Sequence, residues 1–249
     1  MSGSAVDCAA GPRAPVSVCL ASFNGESYIA EQIESVLKQL RPNDELIVSD
    51  DASFDQTVDI IRKVGGSRIR LYENKVSLGV VKNFEQALRH AQHDYVFLCD
   101  QDDVWFQDKV GRMLAELAGA VMVVSDCRVV DANLQTASPS FFALRGSGPG
   151  IARNLYRNSY LGCCMAFRRS LLTKALPIPR GVPMHDMWLG LVAQASGRVT
   201  FLPEVLSLYR RHGRALTDSA GVSDYSRRQQ LSWRLKLAVA LLLRLVLHR

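Results

Sequence analysis

Asp100-Gln101-Asp102-Asp103 places three carboxylates within four residues, directly after the apolar run Tyr95–Cys99 and just before Trp105. Acids this close repel one another, and a divalent cation relieves that repulsion. Asp100-x-Asp102 with Asp103 offers several hard oxygen ligands in one turn. Magnesium and manganese favour such ligands, often take only one or two protein carboxylates, and leave positions for substrate phosphates. A helix N-terminus also welcomes acid, but it needs one or two, not three beside a buried strand. The chemistry expected is metal-assisted handling of a phosphate-bearing substrate.

Other positions carry two readings each. Asp50-Asp51, in "VSDDASFDQT", could accept hydrogen bonds from a nucleotide's base or ribose; alone, turn and cap chemistry explains them better. His185-Asp186 opens a helical stretch, where Asp186 could serve as a general base or as an N-cap. His212, in "YRRHG", is a metal ligand, a diphosphate contact or a solvated surface residue. Cys163-Cys164 lies in an apolar run with no activating base nearby and reads as buried structure.

These residues must be positioned by something. The first half of the chain alternates strand-like and helix-like segments. "VSVCLAS", "ELIVSDD", "RIRLYEN", "YVFLC" and "VMVVSDC" read as strands. "YIAEQIESVLKQL", "TVDIIRKV" (after an Asp55 or Thr57 cap), "VVKNFEQALRHA" and "DKVGRMLAELA" have helical spacing of apolar residues. The strands are near-continuously apolar, which fits a mostly parallel sheet covered by helices on both faces. Ligands of such sheets bind at the carboxyl ends of strands, and both acidic clusters sit there. Residues 132–150 read as one long Ser/Gly/Pro-rich connection, and the second half adds too few strands for a core of its own. The expected organisation is a loose tail over 1–14, one α/β domain over 15–218 and a basic amphipathic helix over 219–249.

Composition agrees with a globular protein: 48% hydrophobic and 22% charged residues in 249. The formal net charge of +6 is concentrated after Asp224, where Arg227, Arg228, Arg234, Lys236, Arg244 and Arg249 face almost no acid. That favours a phosphate-rich partner: a membrane surface, a nucleic acid or a nucleotide. Six cysteines without a C-x-x-C pair argue against zinc and a disulfide framework, and for a reducing cytoplasm. "LAVALLLRLVL" is too short to span a bilayer and is interrupted by Arg244. The tail that contains it carries more apolar residues than one narrow face can use, which favours an interfacial helix or a partner-binding one over simple packing.

In order, "VSVCLASFNGESYIAEQIESVLKQ", "LIVSDDASFDQT", "NKVSLGVVKNFEQAL", "YVFLCDQDDVW", "GCCMAFRRSL", "HDMWLGLVA" and "YRRH" resemble glycosyltransferase family 2 with the GT-A fold. "CDQDDVW" with "HDMW" is most similar to its rhamnosyltransferase-like branch. The resemblance covers Val16 to His212. It implies an inverting enzyme dependent on Mn2+ or Mg2+. Such an enzyme uses a nucleotide-diphosphate sugar donor, here rhamnose, and a saccharide or lipid-linked glycan acceptor of surface polysaccharide synthesis; nucleic acid is not a partner. Asp186 would be the catalytic base. Ser22, Asn24, Asp50, Asp51, Lys82, Asn83, Asp100 and Gln101 would bind the donor. Asp102 would be the chief metal ligand, with Asp100, Asp103 and His212 as further ones. Gly162, His185 and Trp188 would lie on the acceptor side. Arg210 or Arg211 with His212 would assist the leaving group. The sequence departs from the family pattern in having His185 where Glu is common, and in lacking Asn soon after His212. The expected location is the cytoplasm, peripheral on the inner membrane face through the tail. Two other readings stand beside this one. The first is a nucleotidyltransferase, disfavoured because "SFNGESYI" lacks a Gly-rich, basic loop. The second is an inactive nucleotide-sugar-binding scaffold.

Overall fold

A computed structural model describes residues 13–211 and 227–247, the side chains of 227–231 and 247 excepted. His212, Cys8 and most of the expected N-terminal tail lie outside the described residues. The first half is a regular α/β alternation. Strands β1 (Val16–Ser22), β2 (Glu45–Asp50), β3 (Ile69–Glu73) and β4 (Tyr95–Asp100) pair in parallel in the order β3-β2-β1-β4. Helices α1 (Ile29–Leu37), α2 (Thr57–Gly65) and α3 (Val80–Arg89) make the crossovers.

The apolar runs follow from burial on both faces. Along β1, Val16, Val18 and Leu20 face one core and Cys19 and Ala21 the other. Phe97 and Cys99 of β4 join the first, Val96 and Leu98 the second. Helix α1 covers the first core with Ile29, Ile33 and Val36; α3 covers the second with Phe84, Ala87 and Leu88. Each fully buried Val, Leu, Ile or Phe among these contributes about 1.5–3 kcal/mol.

Beyond β4 the sheet becomes mixed. After β5 (Val104–Trp105) and α4 (Lys109–Leu117), β6 (Met122–Val130) does not pair with β4. Strand β8 (Met165–Arg168) enters between them, antiparallel to both, and β9 (Val199–Arg210) runs parallel to β6 and antiparallel to β5. The 132–150 segment is not the structureless connection expected. It holds β7 (Thr136–Ser138), paired with β6, and α5 (Phe141–Arg145), capped by the Ser140 hydroxyl. Short α6 (Ile151–Tyr156) and α7 (Leu171–Ala175), then α8 (His185–Ser196), complete the second half. The C-terminal helix α9 spans Arg227–Leu247. Neither Asp55 nor Thr57 is the N-cap of α2, which is Gln56; Asp55 Oδ1 accepts the Thr57 N–H at 3.0 Å, and the Thr57 hydroxyl accepts the Gly25 N–H at 2.7 Å.

Candidate active site

The carboxyl ends of β1, β2 and β4 form one rim, and most residues expected to bind the donor are knitted into it. Ser22 Oγ donates to Asp50 Oδ2 at 2.9 Å. Asp50 also accepts the Ser53 N–H and hydroxyl. Asp51 accepts four hydrogen bonds, from Asn74 Nδ2, Ser77 Oγ, Leu78 N and Gly79 N, at 2.7–3.1 Å. The four acceptor sites of a carboxylate are thus filled, and Asp51 shapes the 74–79 loop rather than presenting a bare carboxylate. Asn83 is equally committed: it donates to the Ser22 and Ser49 carbonyls and accepts from Ser49 Oγ and Asn74 Nδ2. Lys82 pairs with Glu85 at 2.7 Å and reaches the Ile178 carbonyl.

Gln101, inside the acidic turn, fastens that turn to the β1–α1 loop. Its side-chain amide exchanges two hydrogen bonds with the Phe23 backbone, 2.8 and 3.0 Å. A Cβ on Gly25 would lie 2.3 Å from Gln101 Oε1, so only glycine permits this approach. Asn24 beside it sits at φ +47°, accepting the Phe54 N–H.

Three elements then converge on the acidic turn: the end of β4, the 3-10 turn Gly162–Cys164, and the start of α8. Ligand atoms of Asp100, Asp103 and Cys163 all lie within 4.8 Å of one another. Asp103 is 1% exposed; its Oδ1 accepts the Arg210 N–H at 3.0 Å, while buried Oδ2 has no partner of ordinary hydrogen-bond geometry among the described residues and the Cys163 thiol lies beside the carboxylate. A cation would satisfy that orphaned oxygen, so the residues fit a divalent metal. The compact oxygen pair is Asp100 with Asp103; Asp102, expected as the chief ligand, is not in this cluster. Burial, then the neighbouring Asp103, Asp102 and Asp186 charges, push the Asp100 carboxyl well above its ordinary range. Burial and then the Asp102 charge raise Asp103 likewise.

Asp186 is 4% exposed and accepts backbone N–H groups from Met187 (2.5 Å) and Gly162. Burial outweighs these bonds and raises its pKa from 3.8 to about 7, the range suited to a base working near neutrality. It does not cap α8, whose N-cap is Met184. Trp188, expected on the acceptor side, is instead core: it is fully buried, and its Nε1 donates to the Ala175 carbonyl at 2.8 Å. Two residues beyond Asp186, it lies about 200° further round α8, so its side chain points into the core and away from the site.

Two basic side chains hold the turn from behind. Arg210 does not face the cleft as a leaving-group contact. Its guanidinium donates to Glu31 (2.5 Å), the Asp102 carbonyl (2.8 Å) and the Ala132 carbonyl (2.8 Å), and lies 4.7 Å over the Tyr28 ring. Lys109, which the sequence reading did not single out, has no exposed area. Its Nζ donates to the Cys163 carbonyl (2.7 Å) and Ser207 Oγ (3.2 Å), 4.8 Å from the Trp105 ring. No motif signals it; only the packing of α4 against β9 does. Cys163 and Cys164 are buried, as expected.

A fold of parallel β-α-β units with an acidic turn at the end of its fourth strand and a buried carboxylate opposite defines the GT-A class. The sequence matches the profile of glycosyl transferase family 2 over residues 17–176, and the chain belongs to that family. It is 37% identical over 95 residues to an Escherichia coli UDP-Glc:alpha-D-GlcNAc-diphosphoundecaprenol beta-1,3-glucosyltransferase, WfgD, covering 38% of each chain. The chain spans about two-fifths of the length of such curated relatives. Among solved structures it resembles Staphylococcus aureus TarS bound to UDP-GlcNAc, with TM-score 0.67 and 20% identity over 90% of this chain and 71% of that one. It also resembles the Pyrobaculum calidifontis mannosyltransferase PcManGT bound to GDP-Man and Mn2+, with TM-score 0.64 and 22% identity over 82% and 59%. These likenesses are to the GT-A fold.

Proposed function

We propose that the protein is an inverting, metal-dependent glycosyltransferase that moves a sugar from a nucleoside-diphosphate donor to a saccharide acceptor in surface polysaccharide synthesis. The observation that carries this reading is the meeting of two unlike carboxylate sites across Gly162. On one side is the Asp100–Asp103 cluster with an orphaned buried oxygen. On the other is Asp186, raised to about 7 by burial. Asp186 takes the proton from an acceptor hydroxyl as that oxygen attacks the anomeric carbon. Asp100 and Asp103, with Asp102 beside them, would hold a divalent cation, which when bound neutralises charge on the departing diphosphate. Asp50, Asp51 and Asn83 act one layer back, holding the loops against which the nucleotide lies.

Rhamnose from a deoxythymidine-diphosphate donor is the first candidate sugar, on the "CDQDDVW" and "HDMW" resemblance. The named neighbours act on or bind glucose, N-acetylglucosamine and mannose donors, so a panel decides. Thermal-shift screening of nucleotide sugars with and without Mn2+ tests the reading, since a preferred donor stabilises the fold by linkage. No shift from any of them, with or without Mn2+, contradicts it.

A lipid-linked acceptor is favoured by α9. Leu237 and Leu241 pack into the core, and Arg244 donates to the Lys174, Leu176 and Pro177 carbonyls. The opposite stripe, Leu235, Val239, Leu242, Leu243 and Val246, is 47–69% exposed. Among the described residues no helix is long and apolar enough to cross a membrane. An apolar stripe on a basic helix suits the surface of an anionic bilayer. A second copy would bring like charges together. The expected boundary between 15–218 and 219–249 lies outside the described residues; the described part of the docking helix begins at Arg227.

A further inference from the structure

Between Asp131 and Asp186 the chain carries no acid, so the arginines it folds together there have no carboxylate of their own segment to pair with. Helix α5 ends at Arg145 and the chain returns through α6, which lays residues 144–146 against 156–158. Arg145 Nη2 donates to the Asn158 carbonyl at 3.3 Å, and Arg157 Nη2 to the Leu144 carbonyl at 3.4 Å. Arg153 Nη2 donates to the Gly146 carbonyl. Helix α9 packs on α6 and adds a fourth guanidinium: Arg234 Nη2 donates to the Tyr156 carbonyl at 2.7 Å. Among the described residues none of the four is ion-paired. A guanidinium has five N–H donors, and each of these gives one to the backbone.

The charges are close enough to oppose one another. Burial, then the neighbouring Arg157 charge, hold the Arg145 pKa below its ordinary value. Unused donors and unrelieved repulsion together call for an anion, and a phosphate has the oxygens and the geometry that guanidinium forks match. The surroundings say where that phosphate comes from. Arg234 lies 5.2 Å over the ring of Tyr156, which is 74% exposed, and Leu144 beside Arg145 is exposed too. Leu235, next to Arg234, belongs to the exposed apolar stripe of α9. The arginines thus border that stripe directly. Arginine and an exposed aromatic ring at the edge of an apolar surface suit the headgroup level of a bilayer. We propose that Arg145, Arg153, Arg157 and Arg234 form a headgroup site on the body of the enzyme, where they engage the phosphates of anionic lipids. The inference rests on the bilayer reading of α9 and deepens it.

The two elements do different work. The apolar stripe gains from any bilayer, because lipid tails are alike whatever the headgroup. The arginines supply the choice of an anionic surface, each basic group near such a surface adding about fivefold to binding. A soluble phosphate ester on the same guanidiniums would leave the adjoining stripe in water. A single-stranded nucleic acid would need a series of aromatic rings for its bases, and beside this cluster Tyr156 is the exposed ring among the described residues. A second copy of the chain would bring like charges together. The placement also bears on the candidate active site. Asn158, whose carbonyl holds Arg145, lies on the segment that runs directly into the Gly162–Cys164 turn. Headgroup contacts here therefore fix how that turn sits relative to the membrane surface.

The test measures partition of the full chain into vesicles of phosphatidylglycerol mixed with phosphatidylcholine, and of phosphatidylcholine alone. Arg153 and Arg157 are exposed, so Arg153→Gln with Arg157→Gln removes two charges and keeps a donor at each place. Partition into the anionic vesicles should fall about thirtyfold, with the weak partition into phosphatidylcholine unchanged. Replacing the same two with Lys keeps the charge and should retain most of the binding. Lys38→Gln with Lys63→Gln is the control. Both lysines are exposed on the α1–α2 side, across the sheet from α9, and binding should stay within about twofold of wild type. For the unaltered protein, added salt should weaken partition into the anionic vesicles. Wild-type partition by the Arg153/Arg157 double Gln variant overturns the proposal, and so does an equal loss in the lysine control, which would make the effect one of net charge. Calorimetric titration with inorganic pyrophosphate covers the other source. Pyrophosphate binding lost in the Gln variant, with vesicle partition unchanged, assigns the arginines to a soluble phosphate and overturns the headgroup site. If wild type partitions into neither vesicle, the bilayer reading of α9 fails and this inference with it. If wild type partitions equally into both and loses this on replacing Leu242 and Leu243 with Asp, the α9 reading stands and the headgroup site alone is overturned.

Discussion

Arg210 and Asp103 are joined across the candidate site: the Arg210 backbone N–H donates to Asp103 Oδ1 at 3.0 Å, and its guanidinium holds the carbonyl of neighbouring Asp102 at 2.8 Å. The end of β9 therefore fixes the acidic turn at two consecutive residues. The guanidinium is anchored in turn to Glu31 of α1 and to the Ala132 carbonyl.

This clamp makes Arg210 a positioning residue. Arg210→Lys keeps the charge and loses the fork that reaches three acceptors at once. Mn2+ binding by the purified variant should weaken about tenfold, with a loss of about 1–3 kcal/mol in stability from the buried acceptors left unpaired. Titration calorimetry and denaturant unfolding measure the two. Unchanged Mn2+ affinity would assign the clamp to folding alone.

The base assignment fixes a pH profile. Asp186 must be ionised to accept a proton, and its pKa is raised to about 7. kcat/KM should therefore rise with pH through a midpoint near 7 and level off above it. Asp186→Asn should lower turnover by at least about a thousandfold, since the removed group accepts a proton in the transition state. A profile that stays flat from pH 5 to 9 rules Asp186 out as the base.

The same carboxylates predict an unusual stability curve. Asp100, Asp103 and Asp186 have folded pKa values above the ordinary aspartate value. The folded state thus binds their protons more tightly. Their stabilisation is fully present below the unfolded value of 3.8 and is lost as pH rises through the folded values, about 7 for Asp186. Metal-free protein should gain stability as pH falls from 8.5 to 6.5. Below that, His185, lowered to about 3, opposes the trend because its buried neutral form must charge. Asp186→Asn should raise metal-free stability at pH 8 by about 2–4 kcal/mol. Urea unfolding across pH reads this directly, and a steady decline from pH 8.5 to 6.5 contradicts it.

The α9 stripe predicts vesicle binding. Wild type should float with phosphatidylglycerol vesicles and not with phosphatidylcholine ones. Replacing Leu242 and Leu243 with Asp should abolish flotation without lowering the melting temperature, because both are more than half exposed. A wild-type dimer in sedimentation that the same substitutions dissociate would instead make the stripe a subunit interface.

Much of this was legible in the sequence, and the parts that were not share a cause. The β1 to β4 alternation could be read because each strand is apolar on both faces and each helix shows its spacing. The insertion of β8 between β4 and β6 could not, since "MAFR" carries no register information. Asp100 and Asp186 were legible as chemistry because acids beside apolar runs are costly without a partner. Asp51, Asn83 and Trp188 were harder, since their hydrogen-bond partners come from loops and elements distant in the chain. Lys109 was not singled out and Arg210 was expected, as an alternative to Arg211, at the leaving group; only the fold turns their charges inward. The choice of Asp103 over Asp102 for the compact cluster is likewise a matter of which side of the turn each carboxylate faces.

Phosphorus NMR of the products formed from nucleotide sugars tests the central claim most directly. With Mn2+ and the sugar nucleotide that most stabilises the protein, the account predicts release of the nucleoside diphosphate, lost on Asp186→Asn substitution. Release of pyrophosphate, or turnover unaffected by that substitution, would contradict it.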